Sequence, residues 1–245
     1  MVNAPSQPTT AAIRQRLEGA LQHLPLGLKA AGLIGRRRKL TRYLNAVPPE
    51  KRCLSIGSGP TVIEGWLCTD VAPATLSTVY LNATRPWPMP SASFRYIACE
   101  HMIEHVPYEA GLHLITEAHR VLQRDGVLRI TTPNLDAIRL LPDSDDPDVH
   151  SYIRWFNRKF GSAAQRADET SAVHALNLVM HKFGHIYLYD EGTLRRMLMG
   201  VGFRQVVRCE PKMSRHAELV GVDHHANSVP DMVNRVEPLV LEATA

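Results

Sequence analysis

Arg52-Cys53-Leu54-Ser55-Ile56-Gly57-Ser58-Gly59, running on through Val62 to Trp66-Leu67-Cys68-Thr69-Asp70, is the stretch on which the fold of this chain turns. A short apolar run enters a glycine-rich turn, and a second apolar run then ends on an acid. Two glycines let backbone N–H groups approach a ligand where any Cβ would stand in the way. A carboxylate at the end of the next strand can accept hydrogen bonds from both hydroxyls of a ribose. A dinucleotide fingerprint would need a third glycine, a helix behind the turn and an acid about 20 residues on. Here Val62 takes the place of that glycine, and Asp70 follows Gly59 too soon for a helix and a strand to intervene. The spacing therefore favours a nucleoside ligand without phosphates, and a dehydrogenase is the weaker alternative.

Outward from this stretch, short apolar runs alternate with helical ones. Strands are predicted at Arg52–Ile56, Trp66–Thr69, Thr78–Leu81, Phe94–Cys99 and Val127–Thr132, each closed by Gly, Pro, Asp or Asn. Leu112, Ile115, Ala118, Val121 and Leu122 give Tyr108–Gln123 the spacing of an amphipathic helix. A helix at Glu191–Gly200, a strand at Phe203–Cys209 and a terminal apolar run at Leu239–Glu242 suit an antiparallel hairpin at the sheet edge. Such alternation means a parallel sheet flanked by helices, with ligands beyond the carboxyl ends of the strands. Two helices, Ala11–Leu24 and Leu28–Ala46, form an N-terminal appendage over residues 1–47. It is too short for a core of its own, so it is expected to cover the cleft or to mediate self-association as a homodimer. The domain proper is residues 48–245, with a lid at about 134–189 that carries Trp155, Phe156 and an acidic run around Asp143–Asp148.

The composition is that of an ordinary globular protein: of 245 residues 44% are apolar and 21% charged, which excludes disordered and collagen-like chains. No apolar run is long enough to span a membrane, and Met1–Thr10 has no basic-then-apolar leader pattern. Cys53, Cys68, Cys99 and Cys209 are scattered without a CxxC pair and read as buried thiols, so a cytoplasmic protein is expected. The formal charge of +4 rests largely on Arg36-Arg37-Arg38-Lys39, read as a solvated helix face because no aromatic residues interleave with it.

Residues 52–133 and 185–209 resemble the class I S-adenosylmethionine (SAM)-dependent methyltransferases, of the small bacterial kind with a methyltransferase-11-like core. Ile56-Gly57-Ser58-Gly59 resembles the first motif of that family, and Asp70 stands where its ribose-binding acid stands. Asn82–Pro90 followed by Phe94 resembles the loop that lines the adenine, and Phe94–His101 the fourth strand and its exit. Arg120-Val121-Leu122, Gly126–Ile130 and Thr132-Pro133-Asn134 resemble the helix and fifth strand that follow. Ser55, Asn82 and Asp125 depart from the pattern, standing where an acid, an aspartate and a glycine are usual. The resemblance implies an α/β, Rossmann-like fold with helices on both faces and a seven-stranded, mostly parallel sheet in the order 3-2-1-4-5-7-6. It implies SAM as cofactor, held by Gly57, Ser58, Gly59, Asp70, Asn82, Ala83, Glu100 and His101.

The acceptor chemistry is sought among the histidines, of which there are twelve. Methylation of a hydroxyl needs a base or a metal, because the hydroxyl ionises far above neutrality. Glu100-His101-Met102-Ile103-Glu104-His105 lies just beyond the fourth strand, where this fold places its acceptor. In a helical turn from His101, the residues His101, Glu104 and His105 share a face. Similar E-x-x-E-H motifs with a downstream histidine bind metal in small-RNA 2′-O-methyltransferases and occur in ubiquinone-pathway O-methyltransferases. His101, Glu104, His105 and His181 are the corresponding divalent-metal set, and a metal-free base among His101, Glu104, His105 and His185 is the alternative. The match to the family makes His185 the histidine facing the cleft, and Asp190 reads as the N-cap of the next helix. His224-His225 read as a solvated pair. An acidic, aromatic lid suits a sugar or oligosaccharide hydroxyl, ahead of a quinone or natural-product hydroxyl. It does not suit a nucleic acid, which would demand a basic groove. A catalytically inactive SAM-binding protein stays open as a different class.

Overall fold

The computed structural model describes residues 26–75 and 77–245. The helix expected at Ala11–Leu24 lies outside them. Helix α1 (Leu26–Ala46) leads into strands β1 (Cys53–Ile56), β2 (Trp66–Asp70), β3 (Val79–Tyr80) and β4 (Phe94–Glu100). Helix α2 (Tyr108–Val121) and strand β5 (Leu122–Pro133) follow. The stretch expected to form a lid, about 134–189, holds α3 (Leu135–Ile138), α4 (Pro147–Phe160), α5 (Ala163–Ala167) and α6 (Ala172–His181). Helix α7 (Glu191–Val201), strand β6 (Gln205–Cys209), helix α8 (Asp231–Val236) and strand β7 (Pro238–Thr244) complete the described chain.

The strands form one sheet in the order β3-β2-β1-β4-β5-β7-β6. Strand β7 runs antiparallel to both β5 and β6, and the other neighbours are parallel. This is the Rossmann-like class I methyltransferase topology expected from the sequence. Leu54, Ile56, Ile97, Leu128 and Ile130 fill the sheet centre, and α2 buries Leu114, Ile115, Ala118 and Val121 against it. Those four lie at helical spacing, which is why the segment is a helix at all. It stops at Val121, and Leu122 is already in strand conformation, so no loop separates α2 from β5. Asp125 takes up the turn after it with φ +62, in the left-handed region that a short polar side chain tolerates.

Two features set the site apart. The connection from β1 to β2 holds no helix, as the short spacing from Gly59 to Asp70 requires. The lid also has its own core of Ile138, Tyr152, Ile153, Phe156, Ala175 and Val179, to which α8 adds Val233 and Val236. Part of the segment between β6 and β7 thus shares a core with the helices of 134–189.

Candidate active site

The glycine turn is built by backbone geometry. Gly57 and Gly59 have φ of +67 and +54, a region that costs other residues steric strain. A Cβ on Gly57 would sit 2.5 Å from Cγ of Met102, whereas one on Gly59 would meet nothing within 4 Å and so would fill open space. Asp70 ties the turn down: its Oδ2 accepts from the Gly59 N–H at 2.9 Å and its Oδ1 from the Ala72 N–H at 2.7 Å. A carboxylate has about four lone-pair sites, so acceptor capacity remains for a ribose diol. Ser58 Oγ is buried there without a hydrogen-bond partner among the described residues. A buried orphan hydroxyl, open space over Gly59 and spare carboxylate lone pairs together fit the nucleoside end of SAM.

Nearby, Asn82 Oδ1 accepts from the N–H and hydroxyl of Thr84 at 3.0 and 2.7 Å, and the Ala83 carbonyl accepts from Trp87 Nε1 at 3.2 Å. Both residues thereby shape the loop after β3. Replacing Asp70 by Ala would orphan two backbone donors and remove the ribose acceptor. Each charge-assisted bond contributes about 1.5–3 kcal/mol. We expect SAM affinity to fall at least tenfold by titration calorimetry, and unchanged affinity would place the cofactor elsewhere.

Beyond β4 the chain forms a buried polar cluster. Glu104, fully buried, accepts from His101 Nδ1 at 3.1 Å and from Thr132 Oγ1 at 3.1 Å. Burial opposes charge on His101, but the bond to Glu104 and the nearby Glu237 and Glu100 push the imidazole up to about 9. Burial likewise opposes charge on Glu104, and His101 holds its carboxyl below the usual range. The two form an ion pair, with His101 as imidazolium.

One ligand-type atom from each of Glu104, His105 and His185 lies within 4.8 Å of the others. The backbone forces this meeting, since the N–H groups of Ile186 and Tyr187 both donate to the Glu104 carbonyl, at 2.7 and 3.2 Å. Gly184, with φ +79, turns the chain so that its carbonyl reaches His105 Nδ1 at 3.3 Å. His185 Nδ1 lies 2.5 Å from the Val179 carbonyl, and the two imidazole rings are 5.0 Å apart, edge on. Burial pushes the His185 pKa down.

His101 touches this trio only through Glu104, and His181 ends α6 as an exposed residue outside it. Asp190 caps α7 as expected, its Oδ1 accepting from the Thr193 N–H at 2.5 Å.

His225 is exposed, as a solvated pair would be, and His224 is half-buried, but their backbone is not free. Their backbone N–H groups donate to the Glu100 carboxylate at 3.0 and 2.8 Å, and the His225 ring lies 4.5 Å from that of His101. Burial pushes the Glu100 pKa up to about 7. The expected cofactor contact Glu100 therefore also holds the β6–β7 segment in place. No pattern around residue 225 announces this, because its partner is 125 residues away.

Residues 33–207 match a family model described as a methyltransferase domain. Among solved structures, a SAM-dependent methyltransferase from Archaeoglobus fulgidus is 16% identical, with 86% of this chain and 94% of that chain covered and a TM-score of 0.44. One from Mesorhizobium loti is 16% identical, with 84% and 98% covered and a TM-score of 0.45. No curated protein matches the chain. The family match spans most of the sequence, including the glycine turn, Asp70 and the Glu104–His105–His185 cluster, so the chain belongs to the methyltransferase-domain family and SAM is its methyl donor.

Proposed function

We propose that this methyltransferase acts on a hydroxyl of a sugar or oligosaccharide, and that Nε2 of His185 takes the hydroxyl's proton. The observation that carries this reading is the tautomer of His185. A neutral imidazole whose Nδ1 faces a carbonyl at 2.5 Å must carry its hydrogen there, which leaves the lone pair on Nε2. Burial keeps the ring neutral at pH 7, with Glu104, His105 and His101 as the ionisable groups around it. SAM bound at the glycine turn supplies a methyl group already activated on a sulfonium. The chain's own residues have to align the acceptor and accept one proton.

The lid supports a sugar. Phe183 is 38% exposed, and its ring lies 5.8 Å from that of His185. It is braced edge-on by Phe156 at 5.8 Å and Phe160 at 4.9 Å, so a rigid aromatic face stands beside the base. Asp143, Asp145 and Asp146 are exposed in the same lid and can accept from sugar hydroxyls. Phe183→Ala is expected to raise KM for such an acceptor roughly two- to tenfold with kcat held, the size of an aromatic stacking contribution.

The Glu104–His105–His185 trio favours a second reading, in which the three hold a divalent ion that binds the acceptor oxygen. Metal-bound histidines usually donate their other ring N–H to a carbonyl or carboxylate, and both histidines here face a backbone carbonyl. Two histidines and a carboxylate with an open side also suit a catalytic zinc.

A methyl-transfer screen over sugars, phenols and quinols, with and without chelator, separates the readings. With a histidine base, chelator leaves the rate unchanged. The rate then declines as the pH falls through a single ionisation below the usual imidazole value of about 6.5. With a metal, chelator abolishes turnover and leaves SAM binding intact. Turnover of phenols or quinols alone would overturn the sugar assignment.

A further inference from the structure

We propose that the arginine face of helix α1 is a docking surface for an anionic phospholipid bilayer. The charge of the chain is unevenly placed. Residues 1–46 carry eight Lys and Arg and one acid, Glu18, for a net +7, and the remaining residues carry a net −3. Within α1 there are six basic residues and no acid. A solvated helix normally intersperses both signs and gains from Glu–Lys pairs one turn apart. This helix has no such pair.

The structure sorts those charges by face. Leu40, Tyr43 and Leu44 pack into the core, Lys39 Nζ donates to the Thr78 carbonyl at 3.1 Å, and the Arg36 guanidinium lies 6.0 Å from the Tyr80 ring centroid. The opposite face presents Arg37, Arg38, Thr41, Arg42 and Asn45, all exposed. Among the described residues Arg37, Arg38 and Arg42 have no ion-pair or hydrogen-bond partner. Arg37 and Arg38 on one turn and Arg42 on the next present three guanidiniums to an array of phosphates in a plane, which each can bind bidentately.

Shape and charge together select the partner. A nucleic acid that bound here would wrap beyond one helix onto a remainder of net negative charge, and among the described residues Arg37, Arg38, Thr41, Arg42 and Asn45 include none of the stacking aromatics of single-strand binders. A bilayer touches the stripe alone. No described helix is long and apolar enough to cross a membrane, so the contact is peripheral. The helix runs antiparallel to the strands, since Lys39 meets Thr78 and Arg36 meets Tyr80 at the end of β3. Its N-terminal half therefore approaches the edge where Asp70, paired in register with Tyr80, holds the glycine turn. Docking on the stripe would bring the cofactor edge of the enzyme alongside the bilayer.

The test is co-sedimentation of the full chain with phosphatidylcholine vesicles, with and without about one third phosphatidylglycerol, over a range of salt. The expected result is binding to the anionic vesicles only, weakening as salt screens it. The Arg37→Gln, Arg38→Gln, Arg42→Gln triple variant should bind them roughly a hundredfold more weakly. Its SAM affinity, measured by calorimetry, should be unchanged and certifies that it is folded. Equal binding to neutral vesicles, no binding, or undiminished binding by the folded variant would overturn the proposal. So would arginine-dependent binding of a single-stranded RNA oligonucleotide without binding to vesicles.

Discussion

Turnover of the His185→Ala variant is expected to fall by about 10²–10⁴-fold, the range that a positioned general base contributes. SAM affinity should barely change, because the bonds that hold the glycine turn come from Asp70, whereas His185 bonds Val179. The size of the effect follows from the backbone on either side of this residue. Val179 fixes the tautomer from the end of α6, and the Ile186 and Tyr187 N–H groups clamp the following residues to the Glu104 carbonyl. The base is thus held on both sides. His105, its ring 5.0 Å from that of His185, is the nearest imidazole to stand in, so the His105→Ala, His185→Ala double variant should be lower still. Partial recovery of His185→Ala by added imidazole would separate a lost base from a disturbed fold. Full turnover in the double variant would refute both the base and the metal reading.

Replacing Arg129 by Met is expected to destabilise the protein by about 3–5 kcal/mol, the usual consequence of leaving a buried charge without its partner. For a chain of this size that corresponds to a fall in Tm of roughly 6–20 °C. Arg129 is 1% exposed on β5. Its guanidinium bonds Asp223 through two nitrogens and Glu242 Oε1 at 2.6 Å, and it also donates to the carbonyls of Met213 and Glu210 at 3.0 and 3.2 Å. Asp223 in turn accepts from Thr131 Oγ1 at 2.8 Å and the Lys212 N–H at 2.7 Å. This cluster is the root of the segment that carries His224 and His225 to Glu100.

The pH dependence gives the prediction a second handle. Burial alone would raise the Asp223 pKa, yet Arg129 holds it below the ordinary carboxylate value. A depressed carboxylate contributes stability that is present above its unfolded pKa and is lost as pH falls through the folded one. In Arg129→Met that depression is gone and the orphaned Asp223 carboxylate can protonate. The Tm gap between the two proteins should therefore narrow toward acid pH. A gap that stays constant with pH would mean that packing, not charge, sets the loss.

Much of this architecture is legible in local sequence. The alternation of apolar runs and amphipathic stretches gives the strands and helices their places, because a period of two or of 3.6 is a property of neighbouring residues. The short distance from Gly59 to Asp70 leaves room for no helix, and none is there. Asp190 before Glu191–Val201 is an N-cap for a reason contained within four residues. Boundaries were less legible where tertiary contacts override propensity. The Tyr108–Gln123 pattern runs to Gln123, but the helix ends at Val121 because pairing with Phe94 draws Leu122 into the sheet.

What the sequence determined by itself is the set of local rules: a glycine turn open to a nucleoside, an acid at the next strand end, a sheet order implied by family motifs, and histidines concentrated after the fourth strand. What only the tertiary structure decided is which of those histidines meet. Glu104 and His105 face His185 because the 182–187 segment adds its backbone to the Glu104 carbonyl, a contact 79 residues long in the case of His105 and Gly184. The helical-face argument put His101 with them as an equal, whereas the short helix that forms is only Ile103–His105, and His101 turns aside with φ +44 to pair with Glu104 as a cation. The capture of Glu100 by His224 and His225, and the burial of Arg129 between Asp223 and Glu242, have the same origin. A buried charge must find partners wherever the chain path brings them, and a sequence read in windows of a few residues carries no record of that path.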